Sequence, residues 1–212
     1  MTDNPCPRDS PADDREHDLE PMSDRWIPES QPLEAPLPDD VRAALGRLLG
    51  GGSVETLDEW VTAVRRRTGG GPITVDDLCH AGEETAHWGE IEGERYHFRC
   101  FYDAVILSAL TETPVTIRTE SPDGMVIEAR SVGTAELTVS PDEAVFSFGV
   151  DETVAPPADG EPSRADIYAA VCPSVRAFPD LEAYERWAAT VPVATVAMPL
   201  AGATDLAAEL VA

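Results

Sequence analysis

Ser121-Pro122-Asp123-Gly124 has the residue chemistry of a tight turn, and it separates two strand-like runs, PVTIRTE and MVIEARS. Proline presets the first bend, aspartate bonds its own backbone, and glycine accepts angles other residues avoid. Two short runs joined this way pair antiparallel. TAELTVS and EAVFSFGV continue the series, with SPDE (residues 140–143) as a second turn candidate, and VATVAMPL adds a strand near the end. A small mixed or antiparallel sheet is the expected centre of the chain.

Helical periodicity surrounds it. PDDVRAALGRLL places Val41, Ala44, Leu45, Leu48 and Leu49 on one face behind an Asp cap, and Gly50 to Gly52 stop it. TLDEWVTAVRRRTG opens with a capping box from Thr56 to Glu59 and sets Arg65, Arg66 and Arg67 at the negative helix end. TVDDLCHAG reads as a third, short helix, and HWGEIEGERYHF as a hairpin turning at Glu92 and Gly93. Three helices and a hairpin resemble a winged helix-turn-helix. Further on, a helix runs from Cys100 to Leu110, ADIYAAVC reads as a buried strand leading to Cys172, and PDLEAYERWAAT and ATDLAAELVA read as helices. The expected class is α+β, divided into a disordered acidic leader (1–37), a winged-helix-like module (38–98) and an α+β domain with flanking helices (99–212).

Composition narrows the partners. Forty acidic residues against 15 arginines and no lysine give a formal charge of -25, which repels phosphate backbones and anionic membranes. No nucleic-acid or membrane partner is expected, and the same acidity without lysine suits a proteome adapted to high internal salt or coded by GC-rich DNA. No apolar run approaches the roughly 20 residues of a membrane span, and no secretory signal is visible. Residues 1–37 are rich in Pro, Asp, Glu and Ser, a composition that buries too little surface to order itself; Met22 within them is a second candidate start. Four widely spaced cysteines (Cys6, Cys79, Cys100, Cys172) suit a reduced cytoplasm rather than a disulfide scaffold.

The chemistry concentrates in YHFRCFYDAVILSAL, residues 96–110. Cys100 falls where a strand-like run gives way to a helix, among unpaired backbone N–H groups that favour anions. Asp103, three residues on, shares its face. Cys172 can reach them only through the fold. Thiolates suit soft metals, and a carboxyl group beside them can deliver a proton.

RYHFRCFYDAVILSAL followed by PVTI resembles the active-site segment of the organomercurial lyase (alkylmercury lyase) family: an aromatic run, Cys-x-x-Asp, a helix ending in Ala-Leu, and a short strand. VCPSVRAFPDLEAYERW is similar to the family's second cysteine segment, with Cys172, Phe178 and Trp187 in order, although Pro173 and Ser174 depart from its pattern. SVGTAELTVSPDE resembles the family's strand ending in SP-x-E. The resemblance implies protonolysis of carbon–mercury bonds. Cys100 and Cys172 would bind mercury, Asp103 would protonate the departing carbanion, and all three would hold the product Hg²⁺ until low-molecular-weight thiols or a mercuric reductase remove it. No resident cofactor is implied, since the substrate brings the metal.

Other readings remain open at this point. A non-catalytic mercury or copper carrier or sensor would use the same residues. Cys79, His80, His87, His97 and Cys100 could hold zinc, although their spacing matches no familiar zinc motif. Taken singly, Cys79 reads as inert packing and Cys6 as a residue without a role. A DNA-binding regulator is disfavoured by charge.

Overall fold

The computed structural model describes residues 25–28, 32–67, 73–135, 137–155 and 162–212. Helix α1 (Asp39–Leu48) buries Val41, Ala44, Leu45 and Leu48, the stripe that its periodicity predicts, and carries Asp39 and Asp40 in its first turn. Gly50 follows with a φ of 72°, a left-handed angle that ends the helix cheaply only for glycine. In α2 (Leu57–Arg67) the Thr56 hydroxyl accepts from the Glu59 N–H at 3.2 Å, while the Glu59 carboxylate reaches back to the Glu55 N–H at 2.7 Å. The expected third helix is a single 3-10 turn, Val75–Asp77, because Thr74 and Asp77 cap each other and leave the chain extended at Leu78.

Hairpin strands β1 (Trp88–Ile91) and β2 (Glu94–His97) turn at Glu92 and Gly93, both with positive φ, which matches the right-handed twist of a two-residue hairpin. This hairpin is not a free wing. Strand β1 also pairs with β3 (Pro114–Glu120), which pairs with β4 (Val126–Val132) and onward to β5 (Thr138–Ser140). One antiparallel sheet of order β2-β1-β3-β4-β5 thus spans residues on both sides of position 98. The β3–β4 turn is the Ser121-to-Gly124 turn, closed by the Gly124 N–H on the Ser121 carbonyl at 2.9 Å.

A second antiparallel sheet, β7-β6-β8, has β6 (Val145–Asp151) between β7 (Ala177–Phe178) and β8 (Val193–Pro199). Residues 145–150 of β6 are buried on both faces, since helices α1, α4 (Arg164–Val171) and α5 (Leu181–Ala188) pack against the sheet. Helix α3 (Tyr102–Thr111) packs over β1, β3 and β4 and is covered in turn by α6 (Ala203–Val211). Buried side chains of α1, α2, α3 and both sheets form one continuous apolar cluster. Among the described residues no helix is long and apolar enough to cross a membrane.

Two expectations change. ADIYAAVC is not a strand; it is α4, capped by Ser163, whose hydroxyl accepts from the Asp166 N–H at 3.2 Å while the Asp166 carboxylate accepts from the Ser163 N–H at 2.9 Å. Ile167 and Val171 then fall one turn apart on its buried face. Of the stretch expected to stay unpacked, residues 25–28 and 32–37 do pack: Trp26 bridges to Ala197 on β8, and Ile27 and Leu37 are buried. The rest of residues 1–37 lies outside the described residues.

Gly149 marks the tightest point of the second sheet. A Cβ there would stand 2.6 Å from the Ala194 carbonyl oxygen, a backbone atom that cannot swing away. Gly149→Ala should therefore cost about 1–3 kcal/mol of unfolding free energy, the range for overpacked sites. Gly82→Ala, where the added methyl meets nothing within 4 Å, should stay within about 0.5 kcal/mol of the parent. Chemical denaturation of the two variants side by side checks the contrast.

Candidate functional site

Cys100 lies two residues before α3, in the segment that carries the chain from β2 into the helix, so the helix starts later than its sequence pattern predicts. Phe98 and Phe101 flank it, both buried, and fix the segment against the core. Asp103 occupies the first helical turn. Cys172 caps the C-terminus of α4 and opens a 3-10 turn, Cys172–Ser174, with Pro173 at its start. Proline suits that position: its φ is preset and its missing N–H is not needed there. The Ser147 hydroxyl on β6 anchors this turn by donating to the Ser174 carbonyl at 2.7 Å and accepting from the Arg176 N–H at 3.1 Å.

These elements bring Cys100, Asp103 and Cys172 to one pocket. The Cys100 Sγ lies 3.6 Å from the Val175 carbonyl oxygen, just past the Cys172 turn, and the Cys172 thiol interacts with that of Cys100. A cavity of about 90 Å³ opens between them, walled by Trp60 of α2, Phe146 and Phe148 of β6, Ile167 of α4, and Leu206 and Leu210 of α6. Its walls are apolar, so charges placed in it are poorly screened.

Asp103 is only 7% exposed. Burial pushes its carboxyl group up from the usual range to about 6, against the opposing pull of the Cys79 N–H, which donates to Oδ1 at 3.1 Å, and of nearby His80. The Cys172 thiol is pushed well up, first by its contact with Cys100 and then by burial and the Asp103 charge, with Cys79 pulling the other way. A Cys172 thiol that holds its proton and a carboxyl group near neutrality therefore share one apolar-walled pocket. Tyr168 of α4 also lines it; burial raises its hydroxyl to about 12, so it remains a neutral donor.

Sequence reading missed Cys79. Its thiol interacts with that of Cys172, and the contact, together with burial and the Asp103 charge, raises it strongly. No spacing rule points to it, because its neighbour Cys172 lies far along the sequence, just past the end of α4. The alternative zinc set does not assemble. His80 Nε2 contacts the Val75 carbonyl at 2.8 Å, His87 Nδ1 the Thr119 hydroxyl at 2.6 Å, and His97 Nδ1 the Thr85 backbone. Among the described residues no three or more His, Cys, Asp and Glu side chains gather around one point for a metal.

Because Asp103 holds its proton more tightly folded than unfolded, its ionisation cost is absent below about pH 4, builds as pH rises to about 6, and is complete above that. That rise corresponds to roughly 3 kcal/mol. Asp103→Asn retains an acceptor for the Cys79 N–H and sheds the charge. It should therefore be more stable than the parent by about 1–3 kcal/mol at pH 7.5, and the gap should close at pH 4 in paired denaturation curves.

Comparison with known proteins agrees with the sequence resemblance. No curated protein matches the chain. One solved structure, described as "Crystal structure of the mercury-bound form of MerB2", is similar at 17% identity, covering 82% of this chain and 91% of that one with a TM-score of 0.47. The family model for alkylmercury lyase (MerB) matches residues 81–212, well over half of the sequence and inclusive of both pocket cysteines and Asp103. The chain belongs to the alkylmercury lyase family.

Proposed function

We propose that this protein cleaves the carbon–mercury bond of organomercurials by protonolysis, with Cys100 and Cys172 as mercury ligands and Asp103 as the proton carrier. The reading rests on one observation: two thiols from separate elements meet beside a buried carboxyl group in an apolar pocket. Cys172 is less buried than Cys100 and meets R–Hg⁺ first. As its sulfur bonds mercury, its proton passes to Asp103. Cys100 then forms the second sulfur–mercury bond and loses its own proton. Two thiolates push electron density onto mercury, and the carbon–mercury bond breaks with its electron pair going to carbon. Asp103 delivers its proton there, releasing R–H. The balance is R–Hg⁺ plus two thiols giving R–H, one bis-thiolate Hg²⁺ and one proton. A carbanion is too basic to leave alone, so a poised acid within the pocket lowers the barrier.

The apolar walls seat the organic group R and exclude water, which keeps the proton transfer internal. The substrate supplies the metal, so the chemistry calls for no resident cofactor. Low-molecular-weight thiols or a mercuric reductase, in a reducing cytoplasm, would then carry Hg²⁺ away.

Incubation with phenylmercury or methylmercury and excess thiol should release benzene or methane, measured in the headspace. Asp103→Asn should lower that release by about 10²–10⁴-fold, the usual worth of a positioned acid, yet retain stoichiometric Hg²⁺ binding. Tight Hg²⁺ binding by the parent with no hydrocarbon would make it a carrier instead.

A further inference from the structure

The site holds a third sulfur that the lyase chemistry leaves unused. Cys79 follows the 3-10 turn Val75–Asp77 and is tied into the site by its backbone. Its N–H donates to Asp103 Oδ1 at 3.1 Å, and its carbonyl accepts from the Arg99 N–H at 3.0 Å, one residue before Cys100. Asp77 forms an ion pair with Arg164 at the start of α4, so the segment is fastened to the helix whose end carries Cys172. The Cys79 side chain interacts with the Cys172 thiol, which also meets that of Cys100. Exposure differs along this row: Cys100 is 4% exposed, while Cys172 and Cys79 are each partly open. The sulfurs meet in pairs with Cys172 common to both, and among the described residues no three donors close around one point.

We propose that Cys79 is an exit ligand for Hg²⁺, taking the ion from Cys100 while Cys172 keeps hold of it. The proposal rests on Cys100 and Cys172 being the pair that first binds mercury. A soft ion held by two thiolates moves along such a row by exchange of one ligand at a time. The Cys79 sulfur bonds mercury as the Cys100–mercury bond breaks. The proton that Cys79 loses ends on Cys100, with no change in oxidation state. Asp103, deprotonated once the hydrocarbon has left, lies against the Cys79 backbone and can carry that proton. The exchange clears the buried thiol for the next substrate and presents Hg²⁺ to an external thiol from the outer end of the row.

The test uses the full chain with Cys6→Ser, so that three thiols remain. In the Cys100→Ala variant loaded with one equivalent of Hg²⁺, Cys79 and Cys172 should both resist alkylation by N-ethylmaleimide at least about tenfold more than in the metal-free variant, read by peptide mass spectrometry. Alkylation of Cys79 at its metal-free rate would overturn the proposal. Should Cys100→Ala not fold, the Hg²⁺-loaded parent and its Cys79→Ser variant are compared for transfer of Hg²⁺ to an external dithiol. Slowing of about tenfold or more supports the exit role, and equal rates overturn it. Neither readout depends on hydrocarbon. A parent that releases none overturns the lyase reading alone, whereas a Cys79 left unprotected in the Hg²⁺-loaded Cys100→Ala variant, with a parent that does release hydrocarbon, overturns the exit ligand alone.

Discussion

Burying a carboxyl group in an apolar pocket costs free energy, and here the cost falls on Asp103 in the first turn of α3. The helix has little choice about where that turn lies. Residues 102–108 are buried without a break, since the five-stranded sheet covers one side and α6 the other. Gly89 on β1 shows how close the packing is, since a Cβ there would stand 3.1 Å from the Leu107 side chain. A helix held this tightly cannot rotate to lift its acid into water. What the fold supplies instead is the Cys79 N–H, aided by Asp103's own N–H and nearby His80, enough to hold the carboxylate in place without stabilising it as much as water would. The group is thereby left near neutrality and able to carry a proton both ways.

The second half of the site follows from a different constraint. Cys172 must come to rest beside Cys100 although α4 leads away from β6 through a loop. Ser147 settles this from the middle of β6. Its hydroxyl bonds the Ser174 carbonyl and the Arg176 N–H, and its own N–H donates to the Arg176 carbonyl at 2.8 Å. A buried strand thus fixes the turn by three bonds, and the Val175 carbonyl is left facing the Cys100 sulfur. Pro173 and Ser174, which depart from the family's pattern, are accommodated here. The proline starts the 3-10 turn and the serine offers only its carbonyl to the anchor.

Much of this was legible in the sequence because the signals were local. The stripe of α1, the glycine turn of the β1–β2 hairpin and the Ser121-to-Gly124 turn each depend on residues within a few positions of one another. Cys-x-x-Asp was visible for the same reason. Helix α4 was misread because Ile167, Tyr168 and Val171 look like a buried strand when the preceding residues are ignored. The Ser163–Asp166 capping box was the signal that would have corrected it. Cys79 carried no comparable signal. Its meaning depends on residues 24 and 93 positions away, brought beside it by the pairing of β1 with β3 and by the Asp77–Arg164 ion pair.

That contrast bears on how a site like this one is built. A local motif can place one thiol and one acid near each other, because only two residues separate them at the entry to α3. In this chain it does not place the second sulfur, since Cys172 lies far along the sequence from Cys100. That sulfur comes from another element and arrives on a rigid support, which the Ser147 anchor provides. Once that support exists, a further thiol on a neighbouring segment requires only a backbone already tied to the same acid. The chain can therefore extend a two-sulfur site outward toward solvent without disturbing Cys100 and Cys172.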